Sequence, residues 1–168
     1  TITGIAKGSG MIEPNMATML GFIFIDLEIP QKILQALLKQ LNAKSFNRIS
    51  VDGDESTNDT VILASSNKIK LKNKINSIND KRINSLKISL YKVFSSLSEQ
   101  IVRDGEGATK LIKIKVKKAK NSMQAEKIAR SIANSNLFKT AIYGEDANWG
   151  RIIMAIGKTY EKNNQSKL

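Results

Sequence analysis

The side chains available for chemistry in this protein are hydroxyls, carboxylates and lysines, because its 168 residues include no cysteine and no histidine. Disulfides, thiolate or imidazole catalysis and zinc sites built on these residues are therefore excluded. A hydroxyl nucleophile would need another base, such as a carboxylate, a lysine or a terminal amine. The lack of cysteine also favours a reducing, cytoplasmic location.

Thr18 is one such hydroxyl, and it stands at the start of the apolar run TMLGFIFIDL. This run is rich in β-branched and aromatic residues and has no helical period, so it predicts a strand buried on both faces. A threonine fits the pleat of such a strand without any catalytic role. Residue type alone therefore does not mark Thr18 as a nucleophile.

An acidic segment follows further along the chain and raises the question of a metal site. Four of its side chains share the 1, 3, 5, 7 spacing of an EF-hand calcium loop: Asp52, Asp54, Ser56 and Asn58. However, Thr57 stands where the loop needs glycine, and Leu63 where it needs a bidentate glutamate. We predict no metal site, and interpret the segment, with Asp59, as a tight turn braced by side-chain to backbone hydrogen bonds.

The charge of the chain is strongly positive, +12 at neutral pH with a sequence pI near 9.9. Such a balance can indicate nucleic-acid binding. Only five of the 27 cationic residues are arginine, and aromatic residues make up 5% of the chain. The chain therefore has few side chains that could bind phosphates in a bidentate way or stack on bases. We interpret most of the charge as solvated surface, and a basic nucleic-acid-binding module stays an alternative.

The elements that must position these residues follow from hydrophobic periodicity. Pro30 opens a predicted helix to about Ala43, with apolar side chains at i, i+4 and i+8. Further helices are predicted over 84–102, over 122–135 with Ser122 as cap, and from Asn148, where Asn148 and Trp149 would form a helix start and core. Strands are predicted over 46–51, 60–64, 110–118 and 138–143. Strands alternating with helices predict one α/β (α+β) domain.

Four segments together resemble the glutamate N-acetyltransferase/ornithine acetyltransferase family of arginine biosynthesis. KGSGMIEPNMATML (7–20) is similar to its processing site and FNRISVDGDESTNDT (46–60) to its acidic turn. RDGEGATKL (103–111) resembles its substrate loop and YGEDANWGRI (143–152) a late helix start. The four segments occur in the family's order and spread over most of the chain, which makes the resemblance specific.

The resemblance implies a self-cleaving enzyme with an N-terminal nucleophile. Cleavage between Ala17 and Thr18 would leave Thr18 as both nucleophile and, through its new α-amino group, base. Thr18 would carry an acetyl group from N-acetyl-L-ornithine to L-glutamate by a ping-pong mechanism. Some members also accept acetyl-CoA as donor, and no cofactor is implied. Lys7 and Glu106, together with Thr18, are the substrate-binding residues that the resemblance implies.

The family's fold is a four-layer αββα sandwich of the ornithine acetyltransferase/DmpA type, of which this chain would be a part. Residues 1–17 would be the tail of the α chain and 18–168 the N-terminal and central part of the β chain, normally in an α2β2 heterotetramer. A Thr-Gly oxyanion hole and a C-terminal pocket segment would lie outside this sequence, so the chain alone is expected to be inactive. An N-terminal-nucleophile aminopeptidase or amidase of similar fold is the nearest alternative, although such enzymes usually cleave before serine.

Overall fold

A computed structural model of the protein describes residues 1–8, 19–54 and 59–161. Within these ranges, three strands and two α-helices precede residue 108: β1 (Ile2–Lys7), β2 (Leu20–Leu27), α1 (Gln31–Asn42), β3 (Thr60–Ile69) and α2 (Asn84–Arg103). Three described α-helices follow it: α3 (Ser122–Ala133), α4 (Asn136–Tyr143) and α5 (Trp149–Glu161). The chain divides into two compact units, 1–108 and 109–168, and not into the single domain predicted from sequence.

The first unit is a three-stranded sheet with helices on one face. β2 is the central strand, with β1 antiparallel on one side and β3 parallel on the other. α2 packs against β1, and α1 packs against β3. Ile23 is fully buried beneath these helices, whereas Phe24, on the opposite face of the same strand, is 48% exposed. The prediction that this strand is buried on both faces is therefore wrong for the part of the chain that the structure describes.

The core of the first unit lies between the sheet and its helices. Phe46 and Phe94 are both fully buried, and their rings meet edge to face with centroids 5.6 Å apart. Aromatic pairs favour this arrangement because it brings the positive edge of one ring against the negative face of the other. Ile33, Leu37 and Leu41 form the buried stripe of α1, which confirms the helix predicted after Pro30. β2, β3 and α2 also confirm their predictions, although β3 continues to Ile69.

The second unit is a cluster of three helices around Ile132, Phe138 and Ala155. The Asn121 side chain accepts a hydrogen bond from the backbone N–H of Gln124 and caps α3, so Asn121 and not Ser122 is the cap. Caps of this kind satisfy backbone donors that the first helical turn leaves unpaired. α3 and α5 are joined by a hydrogen bond of 2.6 Å that the Ser131 hydroxyl donates to the Ala155 carbonyl.

Three strand predictions are wrong. Residues 138–143 lie in α4, which begins where the Ser135 hydroxyl accepts from the Phe138 amide. Residues Phe46–Arg48 form a 3₁₀ turn, and the buried Phe46 side chain anchors this turn in the core. The segment 46–51 is therefore not an extended strand. Residues 110–118 alternate in sequence, but they are not part of the three-stranded sheet and form no strand in the described structure. Trp149 starts α5 as predicted, but is 74% exposed and therefore not a core residue.

β1 was not predicted from the sequence, since its alternation of Ile2, Gly4 and Ala6 with Thr3 and Ile5 contains few large side chains. The mixed helix-and-sheet class itself is confirmed. None of the helices in the described ranges is long and apolar enough to cross a membrane.

Candidate active site

One end of the sheet gathers three of the segments that carry the candidate residues. β1 ends at Lys7, and the register places Lys7 opposite Leu20, the first residue of β2. Leu20 in turn lies beside Thr60, the first residue of β3. Ala17 and Thr18 lie outside the described residues, but the chain enters β2 at this end of the sheet. The processing segment and the acidic segment therefore meet where two strands begin.

Met19, the residue that follows Thr18, is held on both sides of its backbone by the start of β3. Its N–H donates to Asp59 Oδ1 at 2.5 Å, and its carbonyl accepts from the Thr60 N–H at 2.9 Å. Its side chain is buried in the core of the first unit. Asp59 was predicted to brace a local turn. Its carboxylate binds the amide of Met19, 40 residues away in sequence and next to the candidate nucleophile.

Lys7 borders a cavity at the end of α2. The cavity has a volume of about 360 Å³ and is lined by Ala6, Lys7, Gly8, Gln100, Ile101, Arg103 and Asp104. The Arg103 guanidinium donates from Nε and Nη2 to Oε1 of Glu99 at 3.0 and 2.8 Å. Glu99 lies one helical turn earlier in α2. The cavity is thus bordered by two cationic side chains, Lys7 and Arg103, and by the carboxylate of Asp104. A cation at such a position can bind the carboxylate of a small substrate. Sequence reasoning missed Gln100, Arg103 and Asp104 as neighbours of Lys7, because only the packing of α2 on β1 brings them there.

The loop after α2 carries Glu106. The amide of Asp104 donates a helical hydrogen bond to the carbonyl of Gln100 at 2.9 Å. Within the loop, the Ala108 amide donates to the Gly105 carbonyl, also at 2.9 Å. Gly105 packs so closely on Val51 that a Cβ there would lie 3.0 Å from Val51 Cγ1. The loop therefore touches the acidic segment. Glu106 is exposed, two residues beyond the cavity wall at Asp104.

The end of the substrate-loop segment and the late segment meet in the second unit. Lys110 Nζ donates to the carbonyl of Ile142 at 3.1 Å and to Glu145 Oε1 at 2.8 Å. The ammonium thus binds the C-terminal end of α4, where cations are stabilised. Its hydrogen bond and its charge lower the pKa of Glu145. Asp146 accepts from the Asn148 side chain at 3.3 Å just before α5.

The acidic segment shows a structural role for Asp52. Its carboxylate accepts from the Asp54 amide at 3.1 Å, and Gly53 between them has φ +84°, a conformation that suits glycine. Leu63, at the position where a calcium loop would place its glutamate, is a buried core residue of β3. Within the described ranges, no group of acidic residues could hold a metal ion.

Comparison with known proteins identifies the relatives of this chain. Its sequence is 49% identical to the arginine biosynthesis bifunctional protein ArgJ of Bradyrhizobium diazoefficiens, over the whole chain and 41% of that protein. It is 51% identical to the protein of the same name from Chlorobium chlorochromatii, over 99% of this chain and 38% of that one. The crystal structure of the Bacillus halodurans argJ protein matches with a TM-score of 0.77 and 43% identity, over 85% of this chain and 66% of that one.

The described fold is thus a partial α/β fold of the kind that the Bacillus halodurans protein has. The family profile of ArgJ matches residues 1–168, and the chain belongs to the ArgJ family. This confirms the resemblance seen in the four segments. The chain spans about two fifths of the length of the curated relatives it matches, 41% for the Bradyrhizobium protein.

Proposed function

We propose that this chain is the region around the self-cleavage site of an acetyltransferase that moves an acetyl group from N-acetyl-L-ornithine to L-glutamate. The observation that carries the proposal is the meeting of two family segments, 7–20 and 46–60, at one end of the sheet. Lys7 ends β1 there, the residues after Thr18 begin β2, and Asp59 precedes β3. A substrate bound beside Lys7 would lie at the strand end where Thr18 enters.

Self-cleavage uses the hydroxyl of Thr18. Its oxygen attacks the carbonyl carbon of Ala17, the C–N bond to Thr18 breaks, and the proton passes to the departing nitrogen. The resulting ester joins Ala17 to the Thr18 oxygen. Water hydrolyses this ester, which leaves a carboxylate on Ala17 and a free amine on Thr18. An α-amino group has a pKa of about 7.7 to 8.0, so part of it is neutral near pH 7 and can accept a proton.

Acetyl transfer then follows in two half-reactions. The Thr18 oxygen attacks the acetyl carbonyl of N-acetylornithine while the α-amine takes the hydroxyl proton and passes it to ornithine as it leaves. The neutral amino group of glutamate attacks the acetyl-threonine ester, N-acetylglutamate forms, and the Thr18 hydroxyl is restored. Lys7 holds a substrate carboxylate, and Glu106 holds the ornithine ammonium. No cofactor takes part, and acetyl-CoA serves as an alternative donor in the first half-reaction.

The remaining parts of the site come from the rest of the protein. A Thr-Gly pair before residue 1 supplies the oxyanion hole, and a segment beyond residue 168 completes the pocket. Residues 1–17 end the α chain and 18–168 belong to the β chain of an α2β2 assembly. The uncovered sheet face fits this proposal, because Ile5, Phe24 and Ile62 are 66%, 48% and 42% exposed there and offer an apolar surface to a second sheet.

The test is to express the complete gene and to determine the intact mass and N-terminal sequence of the product. We expect a new N-terminus at Thr18 and N-acetylglutamate formation from N-acetylornithine plus glutamate. Thr18→Ala should stay a single chain with no transfer, and Thr18→Ser, which keeps a hydroxyl, should still cleave. A wild-type product that persists as one chain, or activity on peptide amides but not on N-acetylornithine, would overturn the proposal.

A further inference from the structure

We propose that Asp59 is a positioning residue for Thr18, and that it acts through the peptide bond between Thr18 and Met19. This inference rests on the proposed function, because it assigns a residue to the same nucleophile. The argument needs only the described residues on the far side of that bond. Asp59 Oδ1 lies 2.5 Å from the Met19 nitrogen, a short distance for a hydrogen bond from an amide to a carboxylate.

Peptide planarity carries the effect to Thr18. The carbonyl carbon, the carbonyl oxygen and Cα of Thr18 lie in one plane with the N–H of Met19. A carboxylate that fixes this N–H therefore fixes the orientation of that plane. The other side of Met19 is fixed as well, because its carbonyl accepts from the Thr60 amide at 2.9 Å. Asp59 thus holds the N–H of the Thr18–Met19 peptide unit, and Thr60 holds the carbonyl of the next unit, Met19–Leu20.

The location makes the carboxylate hard to replace. Backbone pairing of β2 with β3 begins at Leu20 opposite Thr60. Asp59 extends the hydrogen bonding beyond this pair with its side chain. Met19 is only 5% exposed, so water is a poor substitute for the lost acceptor. Loss of the carboxylate would leave the Thr18–Met19 peptide free to rotate at the point where the reacting hydroxyl must be aligned.

Alignment of a nucleophile is worth much in rate, since a displacement of about 1 Å can cost on the order of a hundredfold. The two reactions proposed for Thr18 both depend on it. Asp59 should therefore affect the rate of self-cleavage and the kcat of acetyl transfer, and should have little effect on the KM of either substrate. A residue that only supports folding would instead lower the melting temperature and leave the turnover of the folded molecules unchanged.

The experiment compares Asp59→Ala and Asp59→Asn with the matched pair Asp54→Ala and Asp54→Asn in the complete protein. Asp54 belongs to the same acidic segment, but it is exposed and its amide donates to the neighbouring Asp52. Each precursor is made in a cell-free translation reaction, and cleavage before Thr18 is followed over time on gels. Steady-state acetyl transfer and melting temperature are then measured on the cleaved enzymes.

We expect Asp59→Ala to slow cleavage and to lower kcat by about ten- to a hundredfold, with each KM within about threefold of wild type. Asp59→Asn keeps an oxygen acceptor and loses the charge, so its rates should lie between those of Asp59→Ala and wild type, about threefold or more below wild type. Both Asp54 variants should match wild type. If Asp59→Ala fails to fold, the comparison of Asp59→Asn with Asp54→Asn decides, with a reduction of about threefold or more in both rates expected only for Asp59→Asn.

If Asp59→Ala folds, the inference is wrong when this variant cleaves and turns over like the Asp54 variants. If Asp59→Ala does not fold, the inference is wrong when Asp59→Asn and Asp54→Asn have equal rates. These outcomes are distinct from failure of the proposed function. If the proposed function were wrong, the wild-type protein itself would not cleave before Thr18 or would not transfer acetyl groups.

Discussion

Gly4 is the position at which β1 passes closest to α2, and replacing it by alanine should destabilise the fold that places Lys7. A Cβ on Gly4 would lie 2.8 Å from Leu97 Cδ1 and 3.1 Å from Val93 Cγ1. Carbon atoms pack best at about 3.5–4.0 Å, so both contacts are too short. Leu97 can turn away in part, but the β-branched Val93 is restricted in a helix. We therefore expect α2 and β1 to separate slightly in Gly4→Ala.

Gly21 provides the matched control, because it lies on the same face of the neighbouring strand. A Cβ on Gly21 would meet its nearest neighbours, Phe46 and Val61, at 3.6 Å, an ordinary contact distance. Both substitutions reduce the entropy of the unfolded chain by the same amount, worth about 0.4–1 kcal/mol each. This gain cancels in the comparison. The remaining difference is the overpacking at Gly4, for which we expect about 1–3 kcal/mol.

The measurement is equilibrium urea unfolding of wild type, Gly4→Ala and Gly21→Ala. Gly4→Ala should have the lower free energy of unfolding of the two variants by that amount, with Gly21→Ala at or slightly above wild type. Leu97→Ala should cost less in the Gly4→Ala background than in wild type, because it removes one of the two short contacts. Variants within about 0.5 kcal/mol of each other, or an equal cost of Leu97→Ala in both backgrounds, would refute the packing argument.

Two further predictions concern the candidate site and the pH dependence of a local contact. Lys7→Met should raise the KM of the complete enzyme for its carboxylate-bearing substrates about tenfold or more. The control Lys32→Met, at an exposed position of α1, should leave the KM unchanged. If steady-state kinetics show the same KM for both variants, Lys7 does not bind the substrate. The hydrogen bonds that Asp80 accepts from the Arg82 side chain and amide lower the pKa of Asp80 to about 2. Because this folded-state pKa lies below the ordinary value, the ionised carboxylate stabilises the fold above about pH 4, and this contribution is lost as the pH falls through about 2. In an NMR titration, Arg82→Ala should return the pKa of Asp80 toward its ordinary value, and an unchanged pKa would contradict the assigned cause.

Much of the first unit could be predicted from local patterns. The i, i+4 spacing of Ile33, Leu37 and Leu41 predicts α1, because a stripe of this period must be buried along one side of a helix. The same reasoning predicts α2. The β-branched and aromatic run after Thr18 predicts β2, since it has no helical period. The absence of cysteine and histidine narrows the chemistry, and the four segments identify the family.

The errors fall where the sequence is locally ambiguous. The short apolar stretch 138–143 fits a strand or a helix equally well, and the Ser135 cap selects the helix. The alternation over 110–118 satisfies the period of a strand, but a strand exists only when a second segment binds its backbone. In the same way, the exposure of Trp149 depends on what packs beside α5 and not on the hydrophobicity of tryptophan.

The sequence by itself determined the candidate nucleophile, the family and most of the regular elements around them, because these depend on residue type and on spacing over a few turns. Only the tertiary structure decided which distant residues meet at the end of the sheet. The pairing of β2 with β3 brings Asp59 to the amide of Met19, and the packing of α2 on β1 brings Arg103 beside Lys7. Such contacts join residues far apart along the chain, so no local pattern contains them.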